Sequence, residues 1–132
     1  MTGPEHDSTP LSSDPAVRSL IDIEGLHRRL GDDKEAVEEI LNAFARETPG
    51  LIAQLSDAVS AGERDRARRL AHSLKGSLLW IGAAEAASAA HKLESDASDD
   101  SSVPPEETLA RLRSNIEPLL RALHSQPASG HP

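Results

Sequence analysis

The chain has 132 residues, a formal net charge of −8 and no cysteine. That length fits one domain with a modest core. The acidic balance argues against nucleic acid as a partner, because neutralising phosphates takes a basic surface. The missing thiols exclude a disulfide framework, a zinc–thiolate site and a cysteine nucleophile.

No apolar run approaches the roughly 20 residues that span a bilayer, so no membrane partner is expected. Met1-Thr2-Gly3-Pro4-Glu5-His6-Asp7 lacks the basic and then apolar pattern of a signal peptide, which points to the cytoplasm. Residues 1–19 are rich in Pro, Ser, Asp and Thr and read as a flexible N-terminal arm. Asp14-Pro15 can start a short helical turn. Asp22 then caps a short helix with Ile23, Leu26 and Leu30 on one face, and Gly31 ends it.

Asp32 or Asp33 caps a second, longer helix. Its apolar residues are Val37, Ile40, Leu41 and Phe44, then Leu51, Ile52, Leu55 and Val59. The stripe keeps phase across Pro49, so one helix bent at the proline is favoured over two broken there. Gly62 marks a turn. A third helix runs from about Glu63 to Ile81, with Ala67, Leu70, Ala71, Leu74, Leu78 and Ile81 as its core stripe. Arg68, His72, Lys75, Gly76 and Leu79 fall on another face, and Gly82 stops the helix. A fourth helix, about Ala83 to Ser95, presents the small face of Ala83, Ala86, Ala87 and Ala90, with Leu93. Ser95 to Pro105 reads as a loop. A fifth helix, Glu106 to His124, carries Leu109, Leu112, Ile116, Leu119 or Leu120, and Leu123, with a kink expected at Pro118. Residues 125–132 read as a flexible tail.

No segment alternates as a strand does. The fold class is therefore all-α: an antiparallel four-helix bundle with a short additional N-terminal helix, spanning residues 20–124.

The chemistry concentrates in Ala71-His72-Ser73-Leu74-Lys75-Gly76. Residues three and four apart on a helix are neighbours, so an imidazole, a cation and a missing side chain share one surface spot. A neutral imidazole has one ring nitrogen free for nucleophilic attack. A carboxylate accepting from Nδ1–H would leave Nε2 as that nitrogen. Lys75 can hold phosphoryl oxygens. Glycine within a helix costs roughly 1 kcal/mol against alanine, and at Gly76 that cost is repaid by access for a partner. The combination suits a histidine that carries a phosphoryl group.

That hexapeptide, the spacing to Gly82-Ala83, and Leu93-Glu94 resemble the histidine phosphotransfer (HPt) domain of multistep two-component phosphorelays. Phe44, Pro49 and Leu55 match its pattern further. The resemblance implies that His72 is the phosphoacceptor, taking a phosphoryl group from an aspartyl phosphate on a response-regulator receiver domain and passing it to another. Lys75 and Gly76 match the family's lysine and glycine. In chemotaxis kinases the HPt domain has a second histidine and a glutamate on the next helix. Those positions are His91 and Glu94 here; Glu94 would orient His72 and His91 would join the network.

The resemblance also implies response-regulator receivers, a hybrid histidine kinase, or both as partners. The Mg²⁺ would come with the receiver, and the chain itself would hold no cofactor or metal. It departs from the family at Leu78, Leu79 and Trp80, which are bulkier than the small residues common after the glycine. Leu78 is assigned to the core and Leu79 to a docking face. Trp80 is docking surface or core wedge, the core being favoured. Arg68 and Arg69, one turn before His72, join the docking face. With no P-loop or ATP-binding region, autokinase activity is not expected. The reading is a freestanding monomer. Its alternatives are a helical adaptor that docks receiver or kinase domains without phosphotransfer, and a metal-binding bundle. For the latter only one Glu-x-x-His motif exists, Glu24-Gly25-Leu26-His27.

Overall fold

The computed structural model describes residues 10–98 and 103–124. Among these, every regular element is helical. A 3₁₀ turn at Leu11–Ser13 leads into α1 (Pro15–Leu20) and α2 (Ile23–Arg29). The four long helices follow: α3 (Lys34–Ser60), α4 (Arg64–Ile81), α5 (Ala84–Asp96) and α6 (Pro105–His124). α3 packs on α4 and α6, and α5 packs on the same two, so the four close into a ring. Short connections make successive helices antiparallel. α1 leans on α6, and α2 on α3 and α4.

The helix starts follow from short acidic side chains that accept otherwise orphaned backbone N–H groups. Asp14, Asp22 and Asp33 accept from Ala16, Gly25 and Ala36 at 2.9, 3.0 and 3.1 Å. Asp33, rather than Asp32, therefore caps α3. Asp32 instead joins Gly31 in the left-handed region, with φ of 60° and 68°, where the chain reverses.

The core is the periodic stripe of each long helix. Val37, Leu41 and Leu55 from α3 meet Ala71, Leu74 and Leu78 from α4, Ala90 and Leu93 from α5, and Leu112, Ile116 and Leu119 from α6, all nearly fully buried. Each such leucine or isoleucine contributes about 1.5–3 kcal/mol. Leu119 takes the core position and Leu120 is half-buried.

Three features correct or complete the sequence reading. First, residues 10–19 of the expected flexible arm are folded: Leu11 and Val17 are buried. Glu38 on α3 accepts both Leu11 N–H (2.7 Å) and Ser12 N–H (3.0 Å). Residues 1–9, the tail 125–132 and part of the loop after α5 lie outside the described residues. Second, α3 runs unbroken through Pro49. Proline has no N–H for the carbonyl four residues back, which is that of Ala45. The His124 ring supplies the missing donor, its Nε2 lying 2.9 Å from the Ala45 oxygen. Third, Asp96 is buried at the end of α5 and gathers three helices. Thr108 of α6 donates to its carboxylate, Lys92 approaches at 3.5 Å, and Arg64 of α4 donates to its backbone carbonyl at 2.9 Å. No helix among the described residues is long and apolar enough to cross a membrane.

Gly82 joins α4 to α5 at φ 85°, and its carbonyl accepts from Asp22 N–H at 3.0 Å. A Cβ here would lie 3.0 Å from the Asp22 backbone nitrogen. Left-handed strain and this contact should make Gly82→Ala less stable by about 1–3 kcal/mol, read from urea unfolding. An unchanged midpoint would show that the junction relaxes freely.

Candidate functional site

Burying Ala67, Ala71, Leu74, Leu78 and Ile81 against the bundle turns the opposite face of α4 outward. That face carries Arg68, His72, Lys75, Gly76 and Leu79, as helical periodicity predicts. α5 packs against α4 through alanines, with Ala86, Ala87 and Ala90 buried. Side chains this small let the two helices approach closely. The approach brings His91 and Glu94, one turn apart on α5, alongside His72 and Lys75.

Glu94 is the hub. Its Oε2 lies 2.8 Å from His72 Nδ1. Lys75 Nζ stands 2.9 Å from its Oε1 as an ion pair, although no donor is well aligned on that enclosed atom. Lys75, and secondarily His72, hold the Glu94 carboxyl below its ordinary value against the opposing effect of burial. An ionised carboxylate can only accept. His72 Nδ1 is therefore the donor, and in the neutral ring Nε2 carries the lone pair. The His72 side chain is 66% exposed, so that lone pair is open to an incoming electrophile.

His91 sits at the edge of this network. Its Nδ1 is 3.4 Å from Lys75 Nζ and 3.9 Å from Glu94 Oε1. Lys75 is thus held between a carboxylate and an imidazole, beside the His72 ring. At Gly76 an added Cβ would meet no atom within 4 Å. The glycine is not demanded by packing, and it leaves a notch one turn beyond His72.

The flanks divide by chemistry. Arg68 and Arg69 lie on the N-terminal side, and both pair with Asp65 one turn earlier. Those two arginines, Arg68 foremost, lower the Asp65 pKa. On the C-terminal side Leu79 is 56% exposed. Trp80 is 43% exposed, which overturns its favoured assignment to the core. The indole instead lies against Arg29 of α2, a contact that sequence reasoning missed. Leu79 also borders a shallow depression of about 360 Å³ with Ala84, Ala87, Ser88 and His91. Ser88, equally missed, carries no local signal beyond its helical phase with Ala84 and His91. A larger cleft of about 660 Å³ lies between the 3₁₀ turn and the start of α3. It contains none of the histidine network.

Among the described residues, no group of three or more His, Asp or Glu side chains could hold a metal ion. Glu24 of the lone Glu-x-x-His motif faces Arg18 at 3.6 Å.

Compared with known families, the chain matches the model described as the Hpt domain over residues 39–125. No curated protein matches it, and no solved structure does.

The Glu94 hub has a pH signature. Its carboxyl titrates below the ordinary 4.5 in the folded protein. The stabilisation it brings is therefore complete above that value and is lost as pH falls through the lower, folded one. Wild type should be more stable than Glu94→Gln at pH 7, and the gap should close under acid. Thermal unfolding across pH 3–7 reads this directly; a gap unchanged at low pH would assign the difference to shape rather than charge.

Proposed function

The chain belongs to the Hpt domain family, a family of phosphotransfer in two-component signalling, and from that premise we propose that it relays a phosphoryl group between response-regulator receivers through His72. The observation that carries this reading is the exposed imidazole whose Nδ1–H is held by Glu94, with Lys75 beside it and an open notch at Gly76.

The step follows from that geometry. A receiver's aspartyl phosphate approaches over α4. The His72 Nε2 lone pair attacks phosphorus in line with the P–O bond to the aspartyl carboxylate. The N–P bond forms, the P–O bond breaks, and the carboxylate leaves with the electron pair. The ring gains positive charge as the bond forms, and the Nδ1–H···Glu94 contact spreads it onto a carboxylate. Lys75 stands where its ammonium can turn from Glu94 to the phosphoryl oxygens. Phosphoryl transfer depends mainly on positioning and charge stabilisation, and these four residues supply both. The receiver brings its acidic pocket and the Mg²⁺ held there.

The product is itself a good phosphoryl donor. A second receiver can take the group by the reverse displacement, returning neutral His72. We read the protein as a phosphocarrier that acts in the cytoplasm as a monomer, with receivers, a hybrid histidine kinase, or both as partners. Arg68, Arg69 and Leu79 belong to the surface the receiver covers. The two arginines, already paired with Asp65, serve as long-range steering charges.

Two experiments test this. Incubation with a phosphorylated receiver should add one acid-labile, base-stable phosphoryl group by intact mass, and His72→Gln should gain none. Signalling that survives in His72→Gln would favour the docking adaptor instead. Gly76→Ala separates stability from function. With nothing near the new methyl, it should raise unfolding stability by about 0.5–1 kcal/mol. It should also slow transfer by up to about 100-fold, the cost of displacing reacting groups by about 1 Å.

A further inference from the structure

The C-terminal end of α4 carries a surface that the phosphoryl chemistry does not use. Leu79 and Trp80 are adjacent and both are substantially exposed. Trp80 is the chain's sole tryptophan, and a tryptophan has 150–250 Å² to bury. Exposed aromatic residues beside an arginine are the usual anchors of a protein interface.

Arg29 reaches this surface from α2. Its guanidinium carbon lies 5.4 Å from the indole centroid, and Nη2 donates to the Trp80 carbonyl. No carboxylate among the described residues lies within ion-pair distance of it. The Asp22 carboxylate stands nearby, across Gly25, without closing an ion pair, in a chain whose net charge is −8. The contact with the indole and the bond to the Trp80 carbonyl hold the guanidinium at this surface and leave its other donors for a partner carboxylate.

Position decides what covers this surface. Trp80 lies eight residues beyond His72, about 12 Å along the helix axis. A stable protein interface covers about 800 Å² per partner, a disc of about 16 Å radius. An interface of that size centred on His72 Nε2 reaches Leu79 and Trp80.

Resting on the phosphotransfer reading, we propose that Leu79, Trp80 and Arg29 form a specificity-determining extension of the receiver-docking face. It selects receivers that offer an apolar side chain to Leu79 and Trp80 and a carboxylate to Arg29. α2 thereby enters partner choice although it contributes nothing to the chemistry.

The test uses the intact chain and a tryptophan-free receiver that phosphorylates it. Trp80 emission should change on titration with that receiver, and should do so equally in His72→Gln. Steady-state transfer should show KM for the phosphorylated receiver raised about tenfold in Arg29→Ala and in Trp80→Ala, with the saturated rate unchanged, as loss of about 1.4 kcal/mol of docking energy requires. Arg29→Glu should be weaker still. Unmoved emission at saturation overturns the proposal, and so does an unmoved KM in both alanine variants. The emission measurement is made without altering Arg29 or Trp80, so it stands even where a variant folds poorly. If no receiver phosphorylates the wild type, the phosphotransfer reading fails and takes this one with it; transfer with unmoved KM sinks this one alone.

Discussion

The carboxylate of Glu94 is shared between His72 Nδ1 on one side and Lys75 Nζ on the other, and the site depends on that bridge between two helices. One acidic group sets the imidazole tautomer, holds the ring's orientation and keeps the lysine near the imidazole. Its partial burial strengthens each of these contacts, since charges interact more strongly where water is scarce. A fully enclosed carboxylate would be costly to ionise, whereas one compensated by a lysine stays charged.

For Glu94 to reach both partners, α4 and α5 must run close together in a defined register. The alanine face of α5 permits the approach. Gly82 sets where the chain turns, because its left-handed conformation closes α4 and starts α5 within two residues. Asp22 fastens that turn to the leading helices through the Gly82 carbonyl. At the far end Asp96 does comparable work, joining the ends of α4, α5 and α6 through Arg64 and Thr108. The histidine-bearing face of α4 can then stay exposed, with the core supplying its rigidity.

The bundle also shows how a helix interior proline is accommodated. Pro49 removes a donor from α3, and the freed Ala45 carbonyl is met by His124 from α6. Buried or half-buried carbonyls need such partners, and the partner here comes from 79 residues along the chain. The N-terminal segment is similar. Its composition resembles a mobile arm, yet Leu11 and Val17 find core positions and Glu38 satisfies the turn's N–H groups.

Local physics made much of this legible from residues alone. Helical phase places His72, Lys75 and Gly76 on one face and Leu74 and Leu78 on the other, because periodicity is a property of neighbouring residues. Capping by Asp22 and the stop at Gly82 are local for the same reason. Glu94 and His91 as network members came from family resemblance rather than spacing, since no local rule says which helix packs beside α4. What the tertiary structure decided was every contact between distant segments: the Glu94 bridge, Arg29 on an exposed Trp80, Glu38 on the N-terminal turn, His124 on Ala45. Each depends on how helices of similar pattern pair and at what register, and an amphipathic stripe specifies that a face is buried without specifying what buries it.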